Sequence, residues 1–427
     1  MRKMMFIALI FGMLAPFKCF AADTYTTLSV GILGSRDTLT VLGNIAFLEP
    51  DTISELTLLL DPSTVIHAIF FRNEDDSITA HFERTQGDTI VVKRPTLPAF
   101  ASSRVLSFDL AVPLDPANDS LIMLDRGNRW YPVLPHGLTT ALINVVSSSD
   151  REVFSTGDKS TQEDFTVMMH QFISRIPVYK IPLVIARKGF YRSCVREVAG
   201  HEIRLCYFSL ADSTAQQVLT KAASAFEFYQ SLLGNYHHKS LTILEAPDFE
   251  GTNIGTAILM IGSPTLKAIA AGQDEALTLT IAAQWFGAGV FCDFPSQGFW
   301  FMSLSLSHYL RLLFESRDLD SAAFNAKIAA NLQAYTKVAN DSNDVAIIDI
   351  VRPDSREKGA VIYSKGPAIV HRLRTCVGTV QWNERIRGLY RDYLGKIIRL
   401  DDFVTAFTAP NSDCAEQLHR DLARKGL

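Results

Sequence analysis

Beyond residue 22 the sequence has no apolar run long enough to cross a bilayer as a helix. It has no surplus of basic residues either. Lys and Arg number 41 against 45 Asp and Glu, for a formal charge of −4, a poor balance for a nucleic-acid binder. No CxxC pair and no Cys/His cluster with metal-ligand spacing occurs. The phosphate-cradling G-x-x-x-x-G-K, the nucleophile elbow G-x-S-x-G and the EF-hand loop are all missing. Gly287-Ala288-Gly289 follows a helical pattern, where a dinucleotide loop would follow a strand. These absences set aside nucleotide binding, serine-hydrolase chemistry and calcium sensing, and with 48% apolar and 20% charged residues the chain has ordinary globular composition.

The start of the chain reads as an export signal. Arg2 and Lys3 precede an apolar run from Met4 to Phe17, and small residues near Cys19 and Ala21 suit cleavage close to Ala21 or Ala22. Lys18 before Cys19 argues against lipid attachment there. Residues 1–22 are therefore expected to be removed, which leaves an exported, periplasmic or extracellular protein that is more acidic and has no integral membrane segment. Export permits disulfides. Cys194 and Cys206 stand symmetrically about Gly200, and a hairpin there predicts a bridge between them. Cys376 and Cys414 form a second candidate pair, leaving Cys292 as a buried thiol.

Residues 23–210 read as an all-β domain, a sandwich or open saddle. Short β-branched runs recur between turn signals such as Asp61-Pro62 and Gly87-Asp88. After residue 211 the period becomes helical. Val218, Leu219, Ala222, Phe226, Tyr229 and Leu233 share one face of a helix over 215–233, with Gly234 as its stop. Two strands follow, SLTILEAP and GTAILMIG, then helices over about 275–290, 299–317, 321–339, 366–377, 381–396, 400–408 and 412–425. Asp320 and Asn411-Ser412 are candidate N-caps. The expected class is α+β, with the all-β domain followed by a mostly helical α+β domain over 211–427.

The segment LTIAAQWFG, Leu279 to Gly287, resembles the zinc-peptidase helix HExxHQWFG. Trp130-Tyr131-Pro132, IPVYKIPLVIARKGF, FYQSLLGNYHHKSLTILEAPDF and Tyr363-Ser364-Lys365-Gly366 also resemble stretches of the aminopeptidase N family of gluzincin zinc peptidases. The resemblance runs through most of the mature chain and implies a thermolysin-like second domain. In that family two histidines at i and i+4 and a glutamate on the next helix hold zinc, and the glutamate inside HExxH is the general base. Here the matching ligand positions are Leu279, Ala283 and Met302, and the base position is Thr280. The glutamate that holds the substrate amine in the family falls on Gly255, or with one gap on Thr252. Tyr363 alone is retained, at the position that stabilises the oxyanion in the family.

Downstream of residue 270 the histidines His308, His371 and His419 have no i, i+3 or i, i+4 relation to one another, and each reads as a surface or hydrogen-bonded side chain. The adjacent His237 and His238 point to opposite faces if they lie on a strand. The resemblance, with these departures, implies a pseudo-enzyme with no metal and no cofactor. Its expected partner is a peptide or protein in a degenerate cleft lined by Asn253, Ile254, Gly255, Thr256 and Tyr363. The alternative is an active metallo-aminopeptidase with a displaced or non-standard metal site.

Overall fold

The computed structural model describes residues 24–426 apart from short stretches at 33–36, 48–53, 74–75, 86, 97–102, 116–117, 125–128, 136, 165–166, 248, 295, 340–343 and 409–411. The export segment and the Asn411 cap lie outside the described residues. The chain divides into two compact units, one ending at Tyr191 and the other beginning at Arg192.

The first unit is built of strands. Its largest sheet has eight, with Thr24–Gly31 parallel to Thr139–Ser148 on one side and antiparallel to Thr38–Phe47 on the other. The alternation read in the sequence is an alternation of burial. In TLTVLGNIAF every second residue, Leu39 to Phe47, is buried. Two three-stranded sheets complete the unit, Glu55–Leu59 with Thr89–Lys93 and His81–Arg84, and Arg151–Ser155 with Leu183–Arg187 and Leu121–Leu124. Trp130 and Tyr131 converge on one residue: the Trp130 indole donates to the Ile181 carbonyl at 2.9 Å, and the Ile181 amide donates to the Tyr131 hydroxyl at 3.0 Å.

The second unit opens with a five-stranded sheet: β1 (Arg192–Val198), β2 (His201–Tyr207), β3 (Ser240–Ala246), β4 (Thr252–Gly255) and β5 (Ile258–Gly262), in the order β1-β2-β3-β5-β4. The boundary therefore falls before the β1–β2 hairpin, not at residue 210. The reason is pairing, since β2 runs parallel to β3 and commits the hairpin to this sheet.

The expected Cys194–Cys206 bridge is not formed. The hairpin turn is the residue pair Ala199-Gly200, with φ of 48° and 84°, so Val198 faces His201. Symmetry about Gly200 is thus off by one residue. Cys194 lies opposite Leu205 and Cys206 opposite Ser193, which sends the two thiols to opposite faces. Cys376 and Cys414 do form a disulfide, with Cα atoms 5.9 Å apart. Cys292 is a buried thiol whose pKa burial pushes up to about 12.

Helix α1 (Asp212–Leu233) lies where its apolar face predicts it, and Gly234, at φ 110°, ends it. Helix α2 (Ser263–Ala270) follows β5, and α3 (Glu275–Ala282) follows α2. The helix expected to reach residue 290 stops at Ala282. Gly287, at φ 135°, and Gly289 do not sustain a helix, and the segment turns back instead, with Gly287 N–H donating to the Val290 carbonyl at 2.8 Å.

The remaining helices are α4 (Leu306–Glu315), α5 (Ser321–Thr336), α6 (Arg356–Ala360), α7 (Gly366–Val377), α8 (Thr379–Tyr393), α9 (Leu400–Thr408) and α10 (Ser412–Ala423). Asp320 caps α5 as expected, accepting from the Ala323 amide at 2.8 Å. Widened π-turns at Phe301–Ser305 and Val361–Lys365 lead directly into α4 and α7.

Candidate functional site

Helix α3 and its C-cap hold three of the residues singled out in the sequence. Leu279 is partly buried, while Thr280 and Ala283 are buried. The Thr280 hydroxyl bonds back to its own helix, donating to the carbonyls of Ala276 at 2.8 Å and Leu277 at 3.0 Å. This habit satisfies a threonine inside a helix and turns the hydroxyl away from any ligand.

The QWFG segment after α3 acts as a fastening. Buried Gln284 accepts from the Tyr236 hydroxyl at 2.9 Å and the Ala257 amide at 3.1 Å, and its own amide donates to the Gly255 carbonyl at 2.9 Å. Ala257 is one of two non-glycine residues with positive φ among the described residues, at 64°. Gln284 thus holds the β4–β5 turn in a conformation that alanine adopts only under constraint. Trp285 has no exposed surface, and its indole donates to the Gly234 carbonyl at 3.0 Å, just past the end of α1.

Met302 and Tyr363 fall in the two π-turns, and these turns pack on each other. The Ser305 hydroxyl, in the first turn, donates to the Ile362 carbonyl in the second at 2.7 Å. A Cβ on Gly366 would stand 2.1 Å from the Ser305 hydroxyl oxygen, so glycine is what lets the turns approach. Widened turns recur at functional sites because they offset a side chain from the regular helical face. The two residues end in different environments. Met302 is sealed in the hydrophobic core, whereas Tyr363 is 38% exposed. From α5, Asn331 donates to the carbonyls of Tyr363 at 3.2 Å and Ser364 at 3.4 Å.

Sequence reading missed the part played by His308. It is buried beside Tyr363, with ring centroids 5.7 Å apart. The Arg311 guanidinium lies 2.6 Å from His308 Nε2, so Nε2 accepts and the proton resides on Nδ1. Burial and then the Arg311 charge push the His308 pKa down to about 3. Arg311 also pairs with Glu315 at 2.5 Å and reaches Glu275 of α3 at 3.6 Å. The signal lay in the spacing His308, Arg311, Glu315, which places all three on one face of a helix.

Residues Asn253 to Thr256 occupy β4 and the turn beyond it. β4 is the terminal strand of the sheet, paired with β5 in the register Ile254 to Leu259. Asn253 and Ile254 are partly buried, Gly255 and Thr256 buried. Among the described residues no group of three or more His, Cys, Asp or Glu side chains stands close enough to hold a metal ion, and no helix is long and apolar enough to cross a membrane.

No family model and no curated protein matches this sequence. Solved structures do match its fold. A point mutant of an M1 zinc metallopeptidase from Deinococcus radiodurans bound to a Tyr-Ser-Ala substrate superimposes with a TM-score of 0.72 at 15% identity, over 95% of each chain. A two-domain M1 zinc metallopeptidase mutant bound to L-arginine gives 0.72 at 14% identity, again over 95% of each chain. Native yeast LTA4 hydrolase gives 0.70 at 13% identity, over 95% of this chain and 68% of its own. The fold is that of the M1 metallopeptidases.

Proposed function

We propose that this chain is an exported, non-catalytic protein on an M1-peptidase fold, which binds a peptide or a protein segment in the cleft beside β4. The observation that carries this reading is the chemistry at the positions in register with the HExxH motif. Leu279 and Ala283 have no donor atom, Met302 offers only a thioether and is closed in the core, and the Thr280 hydroxyl is spent on its own helix. Zinc sites are built from thiolate, imidazole and carboxylate. The residues present do not fit the ion that the fold family uses.

The joint replacement has a physical rationale. Histidines and glutamates left in a buried cleft without their metal would cost a few kcal/mol as unpaired polar groups. Apolar residues at these positions remove that cost together.

Peptide binding is supported by β4 being the last strand of its sheet. In an antiparallel hairpin the pair flanking a two-residue turn exchanges both hydrogen bonds. Gly255 and Ile258 flank this turn, which directs the Ile254 amide and carbonyl to the outer edge. An extended peptide adding to that edge gains main-chain hydrogen bonds. Calorimetry with a panel of short peptides tests the reading, with Ile254→Pro and Tyr363→Phe expected to weaken binding. Unchanged binding in both variants removes the cleft. Stoichiometric zinc in the purified protein, together with chelator-sensitive hydrolysis of aminoacyl amides, would establish the enzyme instead. For export, the mature amino terminus recovered from outside the cytoplasm is expected at residue 22 or 23, and an intact Met1 there would count against a cleaved signal.

A further inference from the structure

On the α5 side of Tyr363 lies an open groove of about 360 Å³, lined by Ala330, Ala334 and Val338 of α5 and its end, Ala360 of α6, and the cations Lys337 and Arg356. Ligand sites of this size usually combine an apolar lining with a few polar groups that fix orientation. Here the charged lining is of one sign on a chain whose formal charge is −4. Among the described residues neither the Lys337 ammonium nor the Arg356 guanidinium has a carboxylate partner, although nearby Lys358 is paired with Asp354 at 2.7 Å. Tyr363 also lines the groove, and its hydroxyl has no hydrogen-bond partner among the described residues. The walls are fixed to each other by Asn331, which ties α5 to the Tyr363 turn.

We propose that this groove binds a carboxylate attached to a small apolar body, as at the free C-terminus of a peptide ending in an aliphatic residue. The inference rests on the peptide-binding reading and adds a polarity to it. The carboxylate lies between Lys337 and Arg356, Tyr363 donates to it, and the aliphatic side chain rests on Ala330, Ala334 and Val338. An arginine fork and a mobile ammonium suit a carboxylate, and bonds to an ionised acceptor are the strong ones. The small side chains on α5 leave room for the ligand's own aliphatic group.

Calorimetry on the full mature chain tests this with N-acetyl-Ala-Leu as the free acid and as the C-terminal amide. The acid is expected to bind at least about tenfold more tightly than the amide, the margin of one good charge-assisted contact. Lys337→Ala and Arg356→Ala, both at exposed positions, should erase most of that preference, and Ala334→Trp should block both ligands. Equal binding of acid and amide overturns the proposal. So does inorganic phosphate competing as well as the acid, because the groove would then be an unselective anion patch. Ile254→Pro separates the two claims. Loss of binding in that variant, with no acid preference in the parent, keeps the cleft and ends the groove. An acid preference that survives Ile254→Pro but not Arg356→Ala keeps the groove and ends the β4 cleft.

Discussion

The side chain of Gln284 is bonded to the backbone at the end of β4, at Gly255, and within the β4–β5 turn, at Ala257. One amide therefore reads the end of α3 and the end of the terminal strand together. The end of α3 and the end of β4 are linked here by a neutral, buried hydrogen-bond set.

Gln284→Leu should accordingly be costly. It removes a donor and an acceptor while leaving the Ala257 amide, the Gly255 carbonyl and the Tyr236 hydroxyl in place. Each buried group left unsatisfied costs about 1–3 kcal/mol, and partial relaxation brings the expected total to about 2–4 kcal/mol. Urea unfolding followed by tryptophan fluorescence reads it directly, since Trp285 is the next residue. A loss below about 0.5 kcal/mol would mean that the turn holds its shape without the clamp.

The contact between π-turns predicts a coupled pair. Gly366→Ala places a methyl against Ser305, 2.1 Å from its oxygen and 2.5 Å from its Cβ. Overpacking of this kind costs about 1–3 kcal/mol. Ser305→Gly in the same chain should recover part of that loss, although it gives up the bond to the Ile362 carbonyl. A double-mutant cycle measures the coupling, and simple additivity of the two substitutions would show that the turns do not press on each other.

The disulfide gives a third test. Cys376 and Cys414 enclose a sequence separation of 38, for which the loop-entropy relation gives about 4 kcal/mol. The double substitution to alanine should lower stability by up to about that amount, measured by denaturant titration. Alkylation of denatured, unreduced protein followed by peptide mapping should label Cys194, Cys206 and Cys292 and spare Cys376 and Cys414. Labelled Cys376, or protected Cys194, would reverse the assignment.

Much of this architecture was legible in the sequence, and the gaps have specific causes. The β unit, α1 with its Gly234 stop and the Asp320 cap follow from periodicity and local chemistry, which the chain carries residue by residue. The Cys194–Cys206 expectation failed because a hairpin's register depends on which two residues form the turn. A single-residue slip moves a side chain to the other face. The helix expected over 275–290 ends at Ala282, although a composition of Ala, Gln, Trp and Phe is compatible with a helix. The competing bonds of Gln284 are made to residues far away in sequence. The π-turns were invisible, since an extra residue per turn leaves no compositional mark, and counting by fixed spacing through Met302 passes across one of them. His308 is hydrogen-bonded, one of the two readings its sequence context allows, but its burial depends on Arg311 three residues on, which no single-residue reading includes.

His308 makes the pH dependence of the second unit predictable in sign. Its pKa is lowered to about 3 in the fold, from 6.5, with Arg311 facing Nε2 and the Tyr363 ring beside it. The folded state keeps the ring neutral while the unfolded state binds a proton. Its contribution is therefore complete above pH 6.5 and is lost as the pH falls through that value toward 3, at up to about 1.4 kcal/mol per pH unit. His371, also lowered by burial and by Arg374, adds in the same direction. His308→Gln keeps an acceptor for Arg311 and removes the titration. Between pH 6 and pH 5 its stability should fall by about 1 kcal/mol less than that of the parent chain. Parallel curves for the two proteins in that interval would mean that His308 is already protonated in the folded state, with Arg311 turned away from it.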